Sequence, residues 1–168
     1  MMKKVLFFLL LMVALPSMAQ TKVFGYLSYE AAMQSMPEYA TYQANMQELR
    51  EKYEAEQKRV ENEFNKKYEE FLDGQANFPK TILQKRQSEL QSMLDNNIAF
   101  KNESKKLLCK ADCEAKAPLK DKLQAALAQI GQERGYIIII NTDVNATPWF
   151  NTSMGEDITE AVKAILNK

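Results

Sequence analysis

The chain has 168 residues, with 22 basic and 22 acidic side chains and no histidine. That length supports one domain with a modest core, and the balanced charge excludes the basic stripe of a nucleic-acid binder. Without imidazole there is no histidine-activated serine or cysteine nucleophile and no histidine zinc site. The expectation is therefore a non-enzyme with no catalytic residue, no metal and no cofactor.

Residues 1–19 read as an export signal: basic Lys3 and Lys4, an apolar run over 5–15, then Ser17-Met18-Ala19 with small residues for cleavage after Ala19. The run is too short to span a bilayer. The expectation is a soluble product outside the cytoplasm.

Residues 22–28 alternate, with Val23, Gly25 and Leu27 on one side, and predict a short strand. A helical turn over 29–34 is expected to follow. Ser35-Met36-Pro37-Glu38 then predicts a helix start, with Ser35 capping, proline in the first turn and glutamate three residues on.

Residues 38–117 contain one glycine, Gly74, and one proline, Pro79, both near the midpoint. The rest is charged and helix-permissive, which predicts two long helices joined by a short tip. On the first arm Tyr39, Tyr42, Met46, Leu49 and Tyr53 step by threes and fours. The same register reaches Val60, Phe64 and Phe71, giving a heptad seam. On the second arm Leu83, Leu90, Leu94, Ile98 and Leu108 are assigned to the seam, and Met93, Phe100 and Leu107 to a stripe beside it.

Pro118 is expected to kink the chain, with a helix following from Leu119 to about Glu133. The run Tyr136-Ile137-Ile138-Ile139-Ile140 predicts a strand buried on both faces. Trp149-Phe150 suggests an edge strand. Glu156 and Asp157 are expected to open a last helix with Ile158, Val162, Ile165 and Leu166 on one face.

The fold class is thus α+β and mostly helical: a long antiparallel helical hairpin (38–117) on a small β-containing base (20–37 and 118–168). Two or three short strands leave open sheet edges, which an oligomer would close. Cys109 and Cys113 stand one helical turn apart. That spacing strains a disulfide and departs from the two-residue gap of thiol redox motifs, so structural or incidental thiols are expected.

The order of these features resembles one family across nearly the whole exported chain. It runs from an export signal to Lys22-Val23-Phe24-Gly25-Tyr26, two charged helices and Ala117-Pro118-Leu119. Glu133-Arg134-Gly135-Tyr136 then leads into an isoleucine strand, and Gly155-Glu156-Asp157-Ile158-Thr159 into a final helix. This is similar to the Skp/OmpH family of periplasmic chaperones.

The resemblance implies a homotrimer closed through Val23, Gly25, Leu27, Tyr136, Ile137, Ile138, Ile139 and Ile140. It further implies an ATP-independent holdase that keeps unfolded outer-membrane β-barrel proteins in a cavity between the arms. Candidate client-binding residues are Tyr53, Phe64, Tyr68, Phe71, Phe78, Met93 and Phe100, weighed against simple zipping of the two arms. Unlike the strongly basic members, residues 66–105 hold seven basic and six acidic groups. Lys85-Arg86 is the candidate contact for a membrane surface or lipopolysaccharide. The alternative is an envelope coiled-coil spacer, which would need a clean apolar seam on both arms.

Overall fold

The structure, a computed structural model, describes residues 22–144 and 146–168. The export segment expected over 1–19 lies outside the described residues. In chain order the elements are β1 (Phe24–Leu27), α1 (Tyr29–Gln34), α2 (Pro37–Gly74), a 3-10 turn (Gln75–Asn77), α3 (Lys80–Arg134), β2 (Ile138–Asn141), β3 (Gly155–Asp157) and α4 (Thr159–Leu166). The chain divides into two compact units. Among the described residues, one holds 22–32, 125–166 and 168 and the other 33–124 and 167.

In the first unit β1 is the central strand, parallel to both neighbours in the order β2-β1-β3. Phe24 pairs with Ile138 on one side and Gly155 on the other. One face of β1 carries Gly25 and Leu27, both buried, while Phe24 and Tyr26 on the other face pack against the Phe150 ring at 5.7 and 5.1 Å. Gly25 is required by close approach: a Cβ there would lie 2.9 Å from Ile158 Cδ1 and 3.0 Å from Tyr136 Cε2. Leu27, Ile130, Ile158 and Val162 are almost fully buried. At about 1.5–3 kcal/mol for each such side chain, they anchor the unit.

Three expectations about this unit are corrected. The isoleucine run forms the edge strand β2 and is not sealed on both faces: Ile137 is 82% and Ile138 58% exposed. Doubly buried strands need neighbours on both sides, and one chain supplies a neighbour only on the β1 side. Trp149 and Phe150 are not a strand. The third strand is Gly155–Asp157, so the last helix opens at Thr159, whose amide donates to Asp157 Oδ1 at 2.9 Å. Leu27 and Gly25 lie buried within the unit.

Helix α3 runs unbroken from Lys80 to Arg134 with Pro118 inside it, instead of ending there and restarting. Proline removes one backbone donor and crowds the preceding turn. Here the cost is absorbed among helix-forming neighbours and the buried Leu119 and Leu123. The helix stops at Gly135, which adopts φ 66°. The Tyr136 amide then donates to Gly131 O at 3.0 Å and the Gly135 amide to Gln132 O at 3.4 Å, closing the C-terminus as a Schellman turn.

Helix α2 begins with Pro37 at its first position, as expected, and its N-cap is Met36, whose own side chain makes no cap bond. Asp73-Gly74 ends the helix, and the 3-10 turn leads through Phe78 and Pro79 into α3.

Candidate functional site

The second unit is an antiparallel hairpin of α2 and the first part of α3. Its ladder of contacts fixes the register: Glu38 with Lys122, Tyr42 with Asp112, Tyr53 with Phe100, Val60 with Asn97, and Phe71 with Phe78. On α2 the expected seam holds. Tyr39, Met46 and Phe71 are buried, and Tyr42, Leu49, Tyr53, Val60 and Phe64 are half-buried.

On α3 the seam is rotated from the expected one. The side chains turned inward are Leu83, Leu90, Met93, Asn97, Phe100, Ser104 and Leu108, spaced mostly by threes and fours. Met93 and Phe100, expected beside the seam, lie on it. Leu94 and Ile98, expected on it, are 39% and 52% exposed. Two seam positions are polar. Asn97 Nδ2 donates to Val60 O at 3.2 Å, and buried Ser104 donates its hydroxyl to Phe100 O at 2.7 Å. These bonds satisfy the polar groups, and they are why the true seam was hidden in the sequence. An apolar-only count follows Leu94 and Ile98 outward.

Two grooves flank the seam. One, of about 450 Å³, is lined by Phe71, Phe78, Leu90 and Met93 with Lys67, Glu70, Arg86 and Glu89. Its rim is charged and internally paired, Lys67 with Glu70 at 3.2 Å and Arg86 with Glu89 at 3.9 Å. Lys85 approaches the same Glu89 at 3.8 Å, so the candidate lipid-contact pair Lys85-Arg86 shares a carboxylate that offsets its charge. The other groove, of about 310 Å³, is lined by Val60, Phe64, Leu94 and Ile98, with Glu61 and Lys101 at its edge. The Tyr68 ring stacks on Phe64 at 6.0 Å and is 45% exposed, and Leu72, one turn on, is 44% exposed.

The seven expected client-binding residues therefore separate. Phe71, Phe78 and Met93 line the charged-rim groove and Phe64 the other. Tyr53 and Phe100 face each other at 6.3 Å across the seam, and Tyr68 stands outward. Leu72, Leu94 and Ile98, outside that set of seven, are exposed as well.

Toward the other end of the hairpin the seam gives way to a polar cluster. Tyr42 donates its hydroxyl to Asp112 Oδ1 at 2.5 Å, and Lys116 Nζ lies 3.0 Å from Asp112 Oδ2. Burial, then the Asp112 hydrogen bond, raises the Tyr42 pKa, while the Tyr42 and Lys116 donors lower that of Asp112. These shifts describe a latch between helices. Cys109 and Cys113 are exposed and unbridged. Among the described residues there is no cluster of three metal-ligating side chains of the histidine, cysteine or carboxylate type, and no helix long and apolar enough to cross a membrane.

The chain thus combines a long helical hairpin that carries uncovered apolar residues with a small parallel sheet. The profile of the OmpH-like outer membrane protein family matches residues 23–166, and the chain belongs to that family. Among solved structures, it is similar to a candidate outer membrane chaperone (OmpH-like) from Caulobacter crescentus. The TM-score is 0.67 at 16% identity, covering 86% of this chain and 83% of that one. The likeness at that identity is one of fold. No curated protein sequence matches this one.

Proposed function

We propose that this protein is an ATP-independent periplasmic holdase that binds unfolded outer-membrane β-barrel proteins and prevents their aggregation. In this reading it acts as a homotrimer whose helical arms surround the client. The observation that carries the reading is the set of uncovered apolar side chains on the hairpin, Tyr68, Leu72, Leu94 and Ile98. Folded proteins that work alone seldom leave such a row open. Weak contacts spread along two helices hold a chain without fixing it, because each is replaceable by the client's own contacts.

The trimer is supported by β2, an edge strand that leaves Ile138 and the preceding Ile137 exposed, which invites cover from another copy. Family membership and the fold of the Caulobacter protein agree with this role. The spacer alternative is disfavoured by Asn97 and Ser104 on the seam of α3, where a dedicated coiled coil would place apolar residues.

The test is the mass in solution of the protein lacking residues 1–19, alone and with a urea-denatured outer-membrane barrel protein, alongside light scattering after dilution. The expected results are a three-chain mass, a stable complex and suppressed scattering. A persistent monomer would end the trimer reading, and scattering unaffected by excess protein would end the holdase reading.

A further inference from the structure

The groove of Phe64, Leu94 and Ile98 continues along one face of the hairpin. Ile98 lies at the level of Val60, since its neighbour Asn97 bonds to the Val60 carbonyl. Phe64 and Leu94 form the next level, Tyr68 stacks one turn further, and Leu72 follows one turn beyond that. Residues four apart on a helix rise by about 6 Å, so these levels make four apolar rungs spread over about 18 Å.

An extended polypeptide places same-side residues, two apart, at about 6.6 Å. Over three intervals the two spacings differ by roughly 2 Å, within the reach of flexible side chains. A helix lying along the face as a coiled coil would need apolar residues alternating by three and four, and one packed on four-residue ridges crosses at about −50° and covers only a few rungs. The uninterrupted four-residue steps Phe64, Tyr68, Leu72 do not supply the three–four alternation.

From this match we propose that the face formed by Phe64, Tyr68, Leu72, Leu94 and Ile98 is a ladder for an extended chain whose apolar residues alternate with polar ones. The proposal rests on the holdase reading and names which feature of a client is recognised. An unfolded membrane strand carries that alternation throughout. The edge of the groove holds one acidic and one basic residue, Glu61 and Lys101, so it selects neither sign of charge in the client's polar positions. Asn97 donates to the Val60 carbonyl, and Gln57 and Asn65 also line the groove, where they can meet the polar residues that alternate in such a chain. The opposite groove is lined by four charged side chains, Lys67, Glu70, Arg86 and Glu89, and is the less apolar surface for such a chain.

The experiment uses three fluorescent peptides of identical composition, with leucines alternating, in helical three–four order, or in one block. They are titrated into the full protein lacking residues 1–19. The expected preference is for the alternating peptide by about tenfold, as covering roughly 55 Å² more apolar surface would give. The double variant Tyr68→Ser with Ile98→Ser is expected to abolish that preference, and Leu107→Ser, on a part of α3 that lines neither groove, to keep it. Both changes are at exposed positions, and circular dichroism melting confirms the helices.

Equal binding of the three peptides, preference for the helical order, or an unchanged preference in the double variant would each overturn the ladder. A changed oligomer mass in the double variant would also overturn it, by showing that the face joins copies of this chain. Scattering of a denatured barrel protein is followed separately. Failure of the wild type there removes the holdase reading, while the peptide order alone decides the ladder.

Discussion

The sheet unit and the hairpin unit hold themselves together differently. Around β1, Leu27, Ile130, Ile158 and Val162 lie almost wholly out of solvent, and even a methyl group at Gly25 has no room. Along the hairpin most seam side chains are half-buried, two are polar, and grooves open on either side. Close packing makes volume changes costly, whereas loose seams let segments open locally at small cost. One unit is built to keep its form and the other to yield.

The sharpest way to break this contrast is Ile158→Ala, which should cost about 3 kcal/mol through lost burial and a cavity. Urea denaturation at fixed protein concentration measures it, and a cost no larger than that of a hairpin substitution would erase the distinction. In the hairpin, Phe71→Ala should cost about 2 kcal/mol, because the adjoining groove already leaves one side of the ring thinly packed. Hydrogen exchange is the better readout: amides near the tip should exchange faster while those of β1 remain unchanged.

A smaller effect concerns acid. The Tyr136 hydroxyl and the Arg134 guanidinium, the latter at 2.5 Å, both donate to Glu156 and lower its pKa below the ordinary 4.5. A carboxylate depressed in the folded state stabilises above its unfolded pKa, and that contribution disappears as pH falls through the folded value. The urea midpoint should therefore drop between roughly pH 5 and pH 3. Glu156→Gln should flatten that slope. An equal slope in the variant would place the acid sensitivity elsewhere.

Much of the backbone was legible. The 29–34 turn, the tip at Gly74 and the seam of α2 follow from alternating apolar steps and from the few breakers present. The helix through Pro118 was misjudged because a local rule weighs one lost hydrogen bond without the buried leucines that follow it. The isoleucine run was assigned a fully buried place that a single chain does not provide. The site was harder to read. Asn97 is met on the inward face by the Val60 carbonyl across the seam, and Ser104 satisfies its hydroxyl on its own helix at Phe100 O; no pattern of hydrophobicity reports that. Once those two are placed, Leu94 and Ile98 must turn outward, and the face they form with Phe64 and Tyr68 becomes visible.

The parallel pairing of β1 has a consequence for the order of events during synthesis. Phe24 must find Ile138 and Gly155, both more than a hundred residues downstream. Closing so long a loop is slow compared with forming the local helices. A nascent copy therefore carries an orphan first strand until its far segments emerge, and for that interval it is exposed to the same hazard of premature clumping as any unfinished chain.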